Sequence, residues 1–422
     1  MTTTSSIRLL FVMTLLFGAL GVSVLTIQSP TEITSEKRKL ADLGALPASL
    51  AEAQQFFQRV DAWSRDRMHF RQQWITAFNQ TRFDYGFSPP QDVVIGKERW
   101  LFYSGQSELD DALGATQFTP AELARWEKYL RYRKKQAAEY GAEFLFVLLP
   151  NKSTVYPEYL PGHFSRVSNQ TRLSQLSALM VKLDIGPVGI DQDILKAKQH
   201  GQLYLKNDTH WNLLGANYAQ KAIADRLSKI FPDIKPKLFP FHEASAEERK
   251  QLHHPNDLYY MLGIPGEEID REPSIPVVEG IGNCVGKNDP GNMRVWPLAL
   301  GDCSVATHLP EDPAWFSLVD SRWGHLSQSQ RNFIFRATHL KEGKHTLLIV
   351  HDSYFEMLQP YLSNQFGHAY YVWLGRPLDM TAWPDLIEAA KPDVIIEENL
   401  ERYLKSITPR AGVDYPDDGP QN

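Results

Sequence analysis

Three side chains of types that can together perform nucleophilic catalysis stand out: a serine just past a predicted strand, and an aspartate and a histidine two positions apart far upstream. Ser353 follows the apolar run Leu347-Leu348-Ile349-Val350 and the turn His351-Asp352, and leads into a helix predicted from about Tyr354. Open α/β sheets gather reactive groups at the carboxyl ends of their strands. A hydroxyl at a helix N-terminus also meets unpaired backbone N–H groups, the kind of donor that stabilises an oxyanion. Asp208 and His210 lie in Asn207-Asp208-Thr209-His210-Trp211-Asn212, between Leu203-Tyr204-Leu205 and a helix predicted from Leu213. In extended backbone, residues two apart face the same way. The carboxylate then orients the imidazole, and the other ring nitrogen serves as base to a serine hydroxyl. Each piece has a plainer reading: Ser353 or Asp352 as a helix cap, Asp208 as a cap, His210 as a core histidine. Asp-x-His alone is a weak signal. Its conjunction with strand–turn–Ser–helix points to nucleophilic catalysis.

The elements that must position these residues alternate between strand and helix. Apolar residues at helical spacing run from Leu50 to Phe78. Val93-Val94-Ile95 and Trp100-Leu101-Phe102-Tyr103 predict a hairpin. Pro120 to Tyr140 predicts a helix, with Thr119 as N-cap, Pro120 at the first position and Gly141 past the last turn. Phe144 to Leu149 is wholly apolar, as a buried parallel strand requires. Helices are predicted at Gln170–Leu183 and Leu213–Ile230, and a short strand at Val188–Ile190. Further strands are predicted at Thr346–Val350, Tyr370–Trp373 and Val394–Ile396. The alternation predicts an α/β sandwich with a mainly parallel sheet. Residues 232–340, rich in Pro, Gly and His, break the rhythm and read as an insertion or lid.

Composition narrows the function classes. The chain has 422 residues, 43% of them hydrophobic, enough for a large core. Its formal net charge of -6 shows no basic excess for nucleic acid, and no phosphate-binding glycine motif occurs. His242, His253, His254 and Asp257 lack metal-ligand spacing, so no metal and no cofactor is predicted. Ile7 to Ile27 is apolar with Arg8 its one charge, long enough to span a bilayer. An uncleaved anchor is favoured there, against a signal peptide cut near Ala19-Leu20-Gly21. Cys284 and Cys303 are candidates for a disulfide if the chain is exported; the alternative is two unrelated thiols.

The chain resembles a family over several stretches in order. They are Asp66 to Arg71, Val94 to Tyr103, Leu149-Pro150-Asn151-Lys152-Ser153-Thr154-Val155-Tyr156-Pro157 and Asp208-Thr209-His210-Trp211. Asp257 to Gly263, Asp352-Ser353-Tyr354-Phe355, Pro392 to Glu397 and Glu401-Arg402 follow. Together they are similar to the SGNH-hydrolase-like domain of the bacterial alginate O-acetyltransferases and related cell-surface polysaccharide acetyltransferases, most closely the anchored, single-domain members. The resemblance implies a three-layer sandwich with circularly permuted motif order, since Asp208 and His210 precede Ser353. It implies Ser353 as nucleophile, His210 as base and Asp208 as its orienting carboxylate. His351 departs from the small residue common before Asp352. The domain organisation expected is an anchor at 1–28, a helical lead-in at 29–90, a catalytic domain at 91–410 containing the 232–340 insertion, and a tail at 411–422.

The same resemblance implies a periplasmic protein held at the inner membrane and working in a polysaccharide assembly and export complex. A membrane-bound O-acyltransferase would supply the acetyl group and an exported polysaccharide would accept it. Trp211, Tyr354, Trp373 and Arg376 are candidate glycan contacts, with core packing as the alternative for each. Lys152 either shapes the site or closes the loop after the Phe144–Leu149 strand.

Overall fold

The computed structural model describes residues 32–33, 38–47, 49–66, 71–88, 92–251, 256–264, 276–278, 335–339, 344–363, 365–373, 383–411 and 415. The apolar span Ile7–Ile27, Cys284, Cys303 and Arg376 lie outside these residues, as does the side chain of Trp373. Among the described residues no helix is long and apolar enough to cross a membrane.

The chain divides into two units, one formed by Met1–Val93 with Asp257–Gly266 and the other by Val94–Asn256 with Glu267–Asn422. The first holds helices α1 (Leu50–Asp66) and α2 (Arg71–Asp84), where the apolar spacing predicted one continuous helical stretch. Its short helix Asp257–Leu262 sets Tyr259 edge-on to Phe83, 5.5 Å between ring centroids. The Thr76 hydroxyl donates to the Gly263 carbonyl at 2.8 Å.

In the second unit, β1 (Val93–Ile95, its first residue at the unit boundary) and β2 (Leu101–Tyr103) form the predicted hairpin. The main sheet has five strands: β3 (Glu143–Leu149), β4 (Phe335–His339), β5 (Thr346–His351), β6 (His368–Trp373) and β7 (Val394–Leu400). Their order is β3-β7-β5-β6-β4. All neighbours are parallel except the edge strand β4, which runs antiparallel to β6. The segment read as an insertion therefore gives residues 335–339 to the sheet. Phe241–Glu243 pairs with Pro276–Val278 in a separate antiparallel ribbon.

Alternate residues of each strand face opposite sides, and both sides are covered. Phe144, Phe146 and Leu148 of β3 and Leu348 and Val350 of β5 face helices α3 (Pro120–Glu139) and α4 (Arg172–Leu183). Leu145, Val147 and Leu149 of β3 and Leu347 and Ile349 of β5 face α5 (Ile190–Ala197) and α6 (Leu213–Ile230) on the other side. Helix α3 starts with a full capping box: the Thr119 hydroxyl accepts from the Glu122 N–H at 3.2 Å, and the Glu122 carboxylate accepts from the Thr119 N–H at 2.8 Å.

One element differs from its prediction outright. Val188–Ile190 is no strand; Gly189, at φ +85, ends the extended chain and α5 begins at Ile190. Ile190, Ile194 and Ala197 are buried at helical spacing, and Asp191 and Asp193 suit the positive end of the helix dipole.

Candidate active site

The loop holding Asp208 and His210 is closed by its own backbone. The Leu205 N–H donates to the His210 carbonyl at 3.1 Å, and the Asn212 N–H to the Leu203 carbonyl at 2.9 Å. Tyr204 and Trp211 form an antiparallel bridge between them. Asn212 then caps α6, its side chain accepting from the Gly215 N–H at 3.0 Å. Lys152, just past β3, is wholly buried, and its ammonium donates to the carbonyls of Leu205, Lys206 and Asp208 at 3.1, 3.2 and 2.6 Å. A buried cation needs such a cage of acceptors. Here it ties the loop to the sheet.

Within the loop, Asp208 is fully buried and its Oδ1 accepts twice, from the His210 N–H at 2.9 Å and from Nδ1 of the His210 ring at 2.6 Å. That partner fixes the tautomer: Nδ1 carries the proton and Nε2 is left as an acceptor. His210 Nε2 lies 3.0 Å from Ser353 Oγ, across 143 positions of sequence. The serine is in hydrogen-bond reach of a base, and the base is oriented by a carboxylate.

Ser353 stands two residues past β5. The helix predicted to begin there is a tighter 3₁₀ segment, Ser353–Leu358, which passes into the helical turn Gln359–Ser363. Asp352 shapes this corner. Its Oδ1 accepts from the Tyr354 N–H at 2.8 Å, and its Oδ2 from the Leu400 N–H at 3.2 Å. The capping role weighed for Asp352 is thus filled while Ser353 keeps its hydroxyl for His210. His351 is turned away from the serine hydroxyl, with Nδ1 2.6 Å from the Asp352 carbonyl and Nε2 3.3 Å from the Gln359 side chain.

Two aromatic residues join the halves. The Trp211 indole N–H donates to the Tyr354 carbonyl at 3.1 Å, and the Tyr354 hydroxyl donates to the Thr209 carbonyl. The Tyr354 ring lies 4.7 Å from that of His210. Trp211, Tyr354 and Lys152 are all buried, so the glycan contacts expected of Trp211 and Tyr354 are replaced by a bracing role beneath the site. Of the two readings for Lys152, shaping the site is the one its bonds display, since they hold the loop that carries Asp208 and His210.

A group of buried charges behind the site had no assigned role from sequence. Arg402 pairs with Glu108 at 3.2 Å, both in the interior. Glu401 accepts from the Asn151 N–H at 2.9 Å and the Thr154 hydroxyl at 2.6 Å, and burial pushes its carboxyl up to about 8. The Asp352 N–H donates to Glu398 Oε2 at 2.9 Å. A sequence signal existed for the strand acids: Glu397-Glu398 interrupts the apolar run of β7, where an acid needs a partner.

The family model described as SGNH hydrolase-like domain, acetyltransferase AlgX, matches residues 93–269, which include Asp208 and His210 and end before Ser353. The probable alginate O-acetylase AlgJ of Pseudomonas putida is 28% identical over 137 residues, 32% of this chain and 34% of that protein. The protein of the same name from Pseudomonas fluorescens is 28% identical over 167 residues, 37% of this chain and 39% of that one. The chain thus spans little more than a third of the length of these curated relatives. Among solved structures, the O-acetyltransferase domain of Pseudomonas putida AlgJ aligns with 76% of this chain and 95% of that one, at 19% identity and a TM-score of 0.41. The family resemblance read from the motifs is borne out to this extent: residues 93–269 are similar to the SGNH hydrolase-like domain that the family model describes.

Proposed function

We propose that this protein is an O-acetyltransferase that moves acetyl groups, through an acyl-serine intermediate, onto hydroxyls of an exported, alginate-like polysaccharide. The observation that carries the reading is the continuous chain from Asp208 through His210 to Ser353, with links of 2.6 and 3.0 Å. His210 Nε2 takes the Ser353 proton as Oγ attacks the acetyl carbonyl of the donor. In this reading the backbone N–H of Ser353 donates to the oxyanion. The tetrahedral intermediate collapses to acetyl-serine, and the imidazolium returns its proton to the departing oxygen of the donor. A sugar hydroxyl then attacks the acetyl-serine, His210 removes its proton, and Ser353 leaves with that proton restored. Asp208 stabilises the imidazolium in both steps.

Relatives named as probable alginate O-acetylases support the acceptor class. The order Asp208, His210, Ser353 is read as a circular permutation of the esterase order. The apolar run Ile7–Ile27 supports an anchor in the inner membrane with the body in the periplasm, and Arg376 and Trp373 are retained as candidate glycan contacts. The acetyl donor is a membrane-bound O-acyltransferase, within an export complex. Cys284 and Cys303 would pair in that oxidising compartment.

Purified wild type and Ser353→Ala, given a chromogenic acetyl ester with and without an alginate oligosaccharide, test the reading. Acetylated oligosaccharide from wild type alone supports transfer. Acetate alone from wild type replaces it with esterase activity. Equal behaviour of the two proteins leaves a non-catalytic glycan-binding role.

A further inference from the structure

Behind Ser353, two acids from neighbouring parallel strands meet in the interior. Asp352 follows β5, and Glu398 lies on β7, 3% exposed. The Asp352 N–H donates to Glu398 Oε2 at 2.9 Å, so the carboxyl of one grips the backbone of the other. The partners of the two groups are unequal. The Asp352 carboxylate accepts from two backbone N–H groups, those of Tyr354 and Leu400. Glu398 accepts only from Asp352 N–H, and its Oε1 is buried with no donor among the described residues.

From this arrangement we infer that Glu398 is a positioning residue, holding a proton against Asp352 and so fixing the turn that presents the Ser353 hydroxyl to His210. Two neighbouring acids in a dry interior do not readily both ionise, and the one with more donors keeps the charge. Burial raises the Asp352 carboxyl as well, but the Tyr354 and Leu400 N–H groups and the charges of Arg402 and His210 oppose that rise. For Glu398, burial and the Asp352 charge both push the carboxyl well above the usual carboxylate range. His351, whose Nδ1 meets the Asp352 carbonyl, and Glu108, which pairs with Arg402, are further ionisable groups near the pair.

The consequence for Ser353 is geometric. With its backbone N–H held by Glu398 Oε2, Asp352 accepts from the Tyr354 N–H and closes a turn beside the serine. That turn engages the Tyr354 amide rather than the Ser353 amide. Leu400 N–H ties the same carboxylate to the end of β7, so the corner is anchored on two strands. Glu398 touches no reacting atom; it acts through Asp352.

The proposal rests on the acyl-transfer reading for its rate measurements, and the infrared measurement stands apart from it. Glu398→Gln keeps a neutral group, an acceptor for the Asp352 N–H and a donor for its carboxylate. Glu398→Leu removes both. Acetyl-ester turnover should stay within about 3-fold of wild type in Glu398→Gln, and kcat should fall roughly 10- to 100-fold in Glu398→Leu with KM little changed, the cost of leaving buried polar groups unpaired. Infrared spectra of wild type should keep the carbonyl stretch of a protonated carboxylic acid at mildly alkaline pH, and Glu398→Gln should lose that band. A Glu398→Gln enzyme as slow as Glu398→Leu, full activity in Glu398→Leu, or a band unchanged by Glu398→Gln each overturns the proposal. Should Glu398→Leu fail to fold, Glu398→Gln and the infrared band still decide. An enzyme unaffected by Ser353→Ala marks failure of the acyl-transfer reading instead, and leaves the band as the measure of the shared proton.

Discussion

Glu397 and Glu398 are neighbours on β7 and face opposite sides of the same sheet, yet they live in different electrostatic company. Glu397, on the α3 side, receives the Tyr129 hydroxyl at 2.6 Å and lies 3.7 Å from the Arg133 guanidinium. Arg133 is itself sandwiched in the interior, 4.2 Å from the Trp383 ring and 5.1 Å from that of Tyr129. Glu398, on the site side, faces another acid. One residue type on one strand therefore serves two ends. A cation partner makes Glu397 part of the scaffold, while an anionic partner makes Glu398 answer to the turn beside the nucleophile. Burial raises both carboxyls; only for Glu397 does a nearby arginine oppose the rise.

The comparison is broken most sharply at the nucleophile. Ser353→Ala and His210→Ala should each lower turnover by roughly ten-thousand-fold, and the double variant should lose little more, because such groups act as a unit. Thermal unfolding should barely move in Ser353→Ala; clearly additive losses in kinetics count against the assignment. On the opposite face, Glu397→Ala strands the buried Arg133 charge and should cost about 3–5 kcal/mol in urea denaturation. Turnover per folded molecule, measured by titrating active sites, should stay at the wild-type level. A matching loss of turnover would erase the contrast between the two acids.

Glu401, at the end of the same strand, sharpens the comparison through pH. Its folded carboxyl lies at about 8, above the ordinary 4.5. The folded state thus holds a proton that the unfolded state releases earlier. Its stabilising contribution is complete below 4.5 and is lost as pH rises through about 8. Glu401→Gln, which still accepts from the Asn151 N–H and the Thr154 hydroxyl, should show a flatter stability profile across that window, read from denaturation midpoints on either side of it. Equal slopes for variant and wild type would contradict the raised carboxyl. The smallest effect is expected at the start of α3, where Thr119→Ala removes half of the capping box and should cost about 1 kcal/mol with no change in turnover.

Much of this frame was legible before any coordinates. The apolar run of β3, the Thr119 and Pro120 start of α3 and the bounds of α6 follow from periodicity and capping chemistry. The Asp208–His210 spacing announced its carboxylate–imidazole contact, since both groups sit in one short loop. Long-range partners were less legible. Trp211 and Tyr354 carry the residue types of sugar binding, and only packing shows their rings beneath the site. The two sequence readings of Lys152 stay open until three carbonyls of the Asp208 loop close around it. Gly189 looked compatible with a strand because a positive φ leaves no mark in the sequence. The pairing of Asp352 with Glu398 depends on which strands lie side by side, and sequence order does not give the order β3-β7-β5-β6-β4.

The 143 positions between His210 and Ser353 have a kinetic corollary. Contacts so distant along the chain form only after a large loop has closed, and such closures are slow. Strand β5 must also take its place between β7 and β6 before the serine reaches the imidazole. During refolding, helical signal and hydrophobic collapse should therefore return before esterolysis does. Recovered turnover becomes a stopwatch for the final docking of the sheet rather than for the appearance of secondary structure.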